Sequence, residues 1–179
     1  MSPGNLVKAG FVQVDTATGV TTRTIAFQYN PDTLTRRLDA VDPNVEPRET
    51  VGFTISFDAT DKLEAGDPQS EEVGILPALS ALQLLLYPST NSLLVWITGR
   101  RIAPVRITEM QILEQSFDTG LNPLRAQIGI TLHLLKDADL ANNSRGKAIW
   151  DEYFSQLQQL AEMFASSVPA GALGIENHH

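Results

Sequence analysis

The stretch Glu49-Thr50-Val51-Gly52-Phe53-Thr54-Ile55-Ser56-Phe57-Asp58-Ala59 decides the fold class. Val51, Phe53, Ile55 and Phe57 fall on one side of an extended chain; Thr50, Gly52, Thr54, Ser56 and Asp58 fall on the other. A period of two sustained over this length describes a half-buried antiparallel strand, with one face on a core and one face polar.

Downstream the pattern returns. Leu124 to Lys136 places Ala126, Ile128, Ile130, Leu132 and Leu134 on one face, with Gln127, Gly129, Thr131, His133 and Leu135 on the other. Leu93 to Thr98 is a further strand, followed by a turn at Gly99-Arg100-Arg101. Ile102 to Phe117 is a long β-rich stretch, and its change of phase between Met110 and Leu113 predicts a bulge or bend. Asp118-Thr119-Gly120-Leu121-Asn122-Pro123 has turn chemistry.

Upstream, Leu6 to Val14 and Val20 to Tyr29 flank a small polar turn, Asp15 to Gly19, and read as a hairpin. Asn30-Pro31-Asp32 breaks the run. Thr33 to Asp39 alternates, with Leu34 and Leu38 either side of Arg36, and reads as a short strand before a loop bearing Pro43 and Pro47.

Helical spacing occurs twice. One helix is expected from Leu76, with Pro77 in its first turn, Leu79, Leu82 and Leu86 on a stripe, and Pro88 ending it. The other runs from Arg145 to Ala165 behind the cap Asn142-Asn143-Ser144. Its apolar stripe is Ile149, Tyr153, Leu157, Leu160 and Phe164, with Trp150, Phe154 and Ala161 beside it. Asp58 to Glu72 carries six acids and one base, with Gly66 and Pro68 inside, and is expected to be a loop. Ser166 to His179 reads as a mobile or partner-ordered tail. The fold class is therefore α+β, mostly β, a barrel or a pair of packed sheets. The organisation is a β domain over 1–140 and a helix with tail over 141–179.

Composition narrows the function. The 179 residues hold 13 Lys+Arg against 21 Asp+Glu, a net charge of −8. That balance argues against nucleic acid and against anionic lipid as partners. Cysteine is absent, so disulfides, thiolate catalysis and Cys-based zinc sites are excluded. The start has no basic segment followed by an apolar run, so no signal peptide is read; the Gly74 to Tyr87 stretch is too short to span a bilayer. Charged residues make up only 19%, which leaves much neutral surface; a component of an assembly and an ordinary acidic monomer fit this composition equally.

No constellation for chemistry stands out. His133 lies on the polar side of its strand and reads as structural. His178-His179 lack further ligands for a metal. The acids of Asp58 to Glu72 do not follow the ligand spacing of a calcium loop. No phosphate-binding glycine loop or nucleophile elbow occurs. The expectation is a non-enzyme without cofactor.

Several segments, in order, resemble the tube-like proteins of contractile injection systems. Ile25-Ala26-Phe27-Gln28-Tyr29-Asn30-Pro31 resembles their F-Q-[YF]-N-P segment, and Thr54 to Asp61 resembles the following strand that ends D-A-T-D. Gly74 to Leu79 is similar to the start of their helix, and Val95-Trp96-Ile97-Thr98-Gly99 to their V-W-G strand. Phe117-Asp118 through Asn122-Pro123-Leu124-Arg125-Ala126 resembles their turn before an alternating strand. The matches span roughly 6 to 137.

The resemblance implies a phage-tail-tube-like split β-barrel of two packed antiparallel sheets with one flanking helix, here followed by a C-terminal helix. It implies a homohexameric ring, either a tube initiator or a spike–tube adaptor in a baseplate. Its partners would be an inner-tube protein, a trimeric spike protein and baseplate wedge proteins, in a phage tail-like particle assembled in the cytoplasm. The repeating inner-tube subunit and a ligand-binding β-barrel are the alternatives. Many baseplate members carry a LysM domain after the tube-like domain; no LysM-length sequence follows Asp139. The residues expected at interfaces are Asn30, Pro31, Arg36, Arg37, Arg100, Arg101, Pro123 and Arg125, together with Trp150, Tyr153 and Phe154 of the terminal helix.

Overall fold

The computed structural model describes residues 7–87, 89–165 and 169–174. Among these residues seven strands appear in the order read from the sequence: β1 (Gly10–Asp15), β2 (Thr21–Ala26), β3 (Thr35–Asp39), β4 (Arg48–Asp58), β5 (Ser92–Thr98), β6 (Arg101–Phe117) and β7 (Pro123–Leu134). They form one antiparallel sheet in the order β2-β1-β5-β6-β7-β4-β3, so the expected pair of sheets is replaced by a continuous one.

That sheet is not flat. β4 and β5 are separated by two strands, which in a flat sheet would place them about 14 Å apart. Yet Phe53 of β4 and Trp96 of β5 stack with ring centroids 6.1 Å apart. Phe27, just past β2, meets Phe53 at 5.7 Å and Phe11 of β1 at 5.4 Å. The two halves therefore curl towards each other around a shared aromatic centre. The apolar face of β4 and of β7 lines it as the alternation requires, with Val51, Ile55, Ile128, Ile130 and Leu132 buried.

β6 changes phase where Thr108 is inserted between Ile107 and Glu109, opposite consecutive residues of β7. The bulge thus lies before Met110 rather than between Met110 and Leu113. Beyond it Met110 and Ile112 face the core, and Leu113 points outwards.

Four helices accompany the sheet among the described residues: α1 (Thr60–Glu64), α2 (Pro68–Val73), α3 (Leu76–Leu84) and α4 (Ser144–Ala165). The acidic segment is therefore helical rather than a loop. Asp67 caps α2 by accepting from the Ser70 backbone N–H at 2.9 Å, and Pro68 opens the first turn, where no amide is needed. Gly66, at φ +74°, supplies the left-handed turn between α1 and α2. α3 buries Leu79 and Leu82 against the core. Leu86 lies past its end and is exposed, while Pro88 falls outside the described residues.

α4 is capped by Asn143, whose side-chain oxygen accepts from the Gly146 N–H at 2.9 Å. Its first half packs back on the sheet. Ile149 and Trp150 cover Leu93, Val95 and Leu140, and Tyr153 joins the main core. From Leu157 onwards the side chains are exposed. A short 3-10 turn, Ala170–Leu173, follows; the rest of the expected tail, including His178 and His179, lies outside the described residues. No helix is long and apolar enough to cross a membrane among the described residues.

Candidate functional site

The feature that sets this chain apart is an open edge on β6. β5 pairs only with Arg101 to Val105. Residues 106–117 pair with β7 on one side, and on the other no described strand meets them. Twelve residues of edge extend about 36 Å. An unpaired edge presents a row of N–H and C=O groups that can template another strand. Leu113 and Phe117 lie along this edge, 53% and 49% exposed.

Two other strand ends are covered by side-chain amides. The Gln28 side-chain amide donates to the Asp58 carbonyl at 2.9 Å and accepts from the Asp58 N–H at 2.8 Å. It occupies the end of β4 as a strand would. Asn30 does the same for the segment before β1, accepting from Ala9 N–H and donating to the Val7 carbonyl, both at 2.8 Å. The Phe-Gln-Tyr-Asn-Pro segment is thus a structural splice. Phe27 is in the core, and the two amides close backbone groups the sheet leaves open. Asn30 has its polar atoms engaged within the chain, and Pro31 lines an adjoining polar depression with Asp32 and Arg125.

The arginine pairs separate by parity. Arg36 faces the core side of β3 opposite Val51, while Arg37 faces outwards opposite Thr50. Arg36 Nε donates to Glu49 at 2.6 Å, and Glu49 is only 8% exposed. The second Glu49 oxygen accepts from the Tyr153 hydroxyl at 3.3 Å. The hydrogen bond to Glu49 holds the Arg36 guanidinium above its ordinary pKa, and burial, with Glu49 beside it, raises that of the Tyr153 phenol. This clasp joins β3, β4 and α4. Trp150 continues it through ring contacts with Tyr153 at 5.6 Å and Phe154 at 6.1 Å. Beside it lies an apolar groove of about 200 Å³ that includes Leu38, Pro47, Phe154 and Leu157.

Glu49 was missed in the sequence. Its signal is parity: it shares the inward face of Val51, just as Arg36 shares the inward face of Leu34 and Leu38. Two opposite charges on inward positions of neighbouring strands mark a buried pair.

Arg100 sits in the β5–β6 turn and Arg101 opens β6, both exposed. Arg125 pairs with Asp58 at 3.2 Å, and the Thr60 hydroxyl and N–H, with Arg125 in support, hold the Asp58 carboxyl below its usual range. Pro123 is buried at the start of β7, and its carbonyl accepts from the Ile75 N–H at 2.9 Å. Pro123 therefore belongs to the fold. The structure brings Arg36, Trp150, Tyr153 and Phe154 together, places Asn30, Pro31 and Arg125 around a second depression, and leaves Arg37, Arg100 and Arg101 on the surface.

Among the described residues no group of three or more His, Asp or Glu side chains is arranged to hold a metal ion. No protein-family model matches the sequence, and a search of curated proteins returns no match.

Proposed function

We propose that this chain is a structural component of a contractile injection system, a homohexameric tube-initiator or adaptor ring joining the baseplate spike to the inner tube. The open β6 edge is the observation that carries the reading. If one β6 edge met another, a twofold dimer would result and growth would stop. If it met a different edge, the contact would be head-to-tail and could close into a ring. Such edges exist, because the outer sides of β2 and β3 are also unpaired within the described sheet. The curled sheet with α3 against its core supports the tube-like split barrel that the ordered sequence segments imply. The interior is filled by Phe11, Phe27, Ile55 and Leu82, which favours a packed scaffold over a ligand-binding barrel.

Mass measurement and electron microscopy of the purified chain test the reading. Six-membered rings are expected. A strictly monomeric protein that contacts neither spike nor tube proteins would sink it. Within the reading, copy number in an intact particle separates the roles: six copies for a single ring, many multiples of six for the repeating inner-tube subunit.

A further inference from the structure

β4 has a gap in its pairing on the side away from β7. β3 accompanies it only from Arg48 to Gly52, and the Gln28 amide takes the backbone of Asp58. Residues 53–57 lie between these two ends. In an antiparallel strand the N–H and C=O of one residue point to the same side, and those of the next residue to the other. Two contacts fix the phase in β4. The Ala59 N–H donates to the Leu124 carbonyl of β7 at 2.8 Å, whereas the Asp58 groups meet Gln28 on the opposite side. Thr54 and Ser56 share the phase of Asp58, so their N–H and C=O groups turn away from β7. Among the described residues nothing donates to them or accepts from them on that side.

The gap opens into a depression of about 500 Å³. Residues 29–32 wall it, and it spreads over the outward face of the sheet to Gln127 of β7 and Gln115 of β6. Of the residues that line it, Asp32, Asp58 and Arg125 are charged. Asp58 and Arg125 pair with each other at 3.2 Å. Asp32 is exposed and makes no ion pair among the described residues. Lys8 and Lys62 stand in a separate depression, beyond Gln28.

We infer that this gap is a docking slot for a short extended segment of another protein that carries a lysine or arginine. Open donors and acceptors in alternation along one line fit an extended peptide backbone, which adds to a sheet edge as a strand does. Alternate residues of the segment exchange hydrogen bonds with Thr54 and then Ser56, so about three residues fill the slot. β3 at one end and the Gln28 amide at the other keep a longer strand from pairing. Charge sets the side chain: the Asp58–Arg125 pair is already neutralised, and the Asp32 carboxylate at the rim is left to meet a cation. The slot lies on the β3 side of the sheet, away from the lateral β6 edge, and stands without the ring reading.

The test titrates the isotope-labelled full chain with blocked pentapeptides, in which threonines flank a central lysine, alanine or glutamate. The Thr54 and Ser56 amide resonances are expected to shift, and their hydrogen exchange to slow. The lysine peptide should bind about two- to fivefold tighter than the alanine peptide, the scale of an exposed ion pair, and the glutamate peptide should bind weakest. Asp32→Asn, checked by circular dichroism, should erase that preference and leave the alanine peptide unaffected. N-methylation of every peptide amide removes the donors and should cost about tenfold or more. If no peptide at millimolar concentration moves the two resonances, solvent alone occupies the gap and the inference fails. Equal binding of the N-methylated peptide, or shifts gathered elsewhere, would overturn it too. If the two amides become protected without peptide as protein concentration rises, the occupant is a second copy and the inference falls. Micrographs of the same samples keep the readings apart: rings without peptide binding fail this inference alone, and peptide binding without rings fails only the ring reading.

Discussion

Tyr153, in the middle of α4, donates its hydroxyl to the buried carboxylate of Glu49 at 3.3 Å, across 104 residues of sequence. The carboxylate is shared with Arg36, so three elements converge on one charge. Removing a partner leaves a group that water cannot readily reach.

Glu49→Ala is therefore expected to cost about 2–3 kcal/mol, towards the low side for a buried pair because Arg36 keeps some solvent contact. Tyr153→Phe, which keeps the ring, should cost about 1 kcal/mol. Urea unfolding midpoints measure both. Equal, negligible effects would show that the clasp is decorative.

The same clasp predicts an alkaline limit. The Tyr153 phenol has a folded-state pKa raised above its ordinary value of 10.0. The folded state then holds the proton more tightly than the unfolded one. The stabilisation is complete below that ordinary value and disappears as pH rises through the folded value. Thermal melts across this range should fall more steeply for the natural chain than for Tyr153→Phe.

Leu113→Lys with Phe117→Lys should abolish lateral association and change stability by no more than about 0.5 kcal/mol, since both side chains are half exposed. Ring counts in micrographs, beside an unfolding curve, check the two halves of the statement.

Asn30→Ala strips the Ala9 N–H and the exposed Val7 carbonyl of their partners and should destabilise by about 1 kcal/mol. The β1–β2 region should show the faster amide hydrogen exchange. A variant as stable as the parent would mean that solvent replaces the amide without loss.

Two glycines should respond oppositely to alanine. A Cβ at Gly52 would meet nothing within 4 Å, so Gly52→Ala should stabilise the isolated chain by about 0.5 kcal/mol. At Gly74, with φ +59°, a Cβ would stand 2.2 Å from the Pro123 carbonyl oxygen, and Gly74→Ala should lower the melting temperature clearly.

Much of the fold was legible because alternation reports burial directly. β4 and β7 show it in nearly every residue, and the helix spacing of α4 is as plain. The helices α1 and α2 were hidden because Gly66 and Pro68 are loop residues by habit, while their use here is local: one turns the chain and the other opens a helix behind the Asp67 cap. The roles of Gln28 and Asn30 depend on backbone 30 and 21 residues away, which no local pattern encodes. The open edge was half legible. Leu93 to Thr98 is too short to accompany Ile102 to Phe117 along its length, but strand lengths do not say whether another strand fills the remainder. Phe154 was legible as apolar, yet only the packing shows it stacking on Trp150 beside a groove.

α4 has one more consequence, in the order of synthesis. Arg145 donates to the Thr16 carbonyl at 3.2 Å, and Tyr153 reaches back to Glu49. Both contacts tie the early part of the chain to residues that leave the ribosome after all seven strands. Until Tyr153 emerges, the Glu49 carboxylate lacks one of its two partners, and the hairpin turn lacks its guanidinium. In that state Leu93, Val95 and Leu140 also lack the cover of Ile149 and Trp150, so the sheet's apolar surface is closed only when the terminal helix docks.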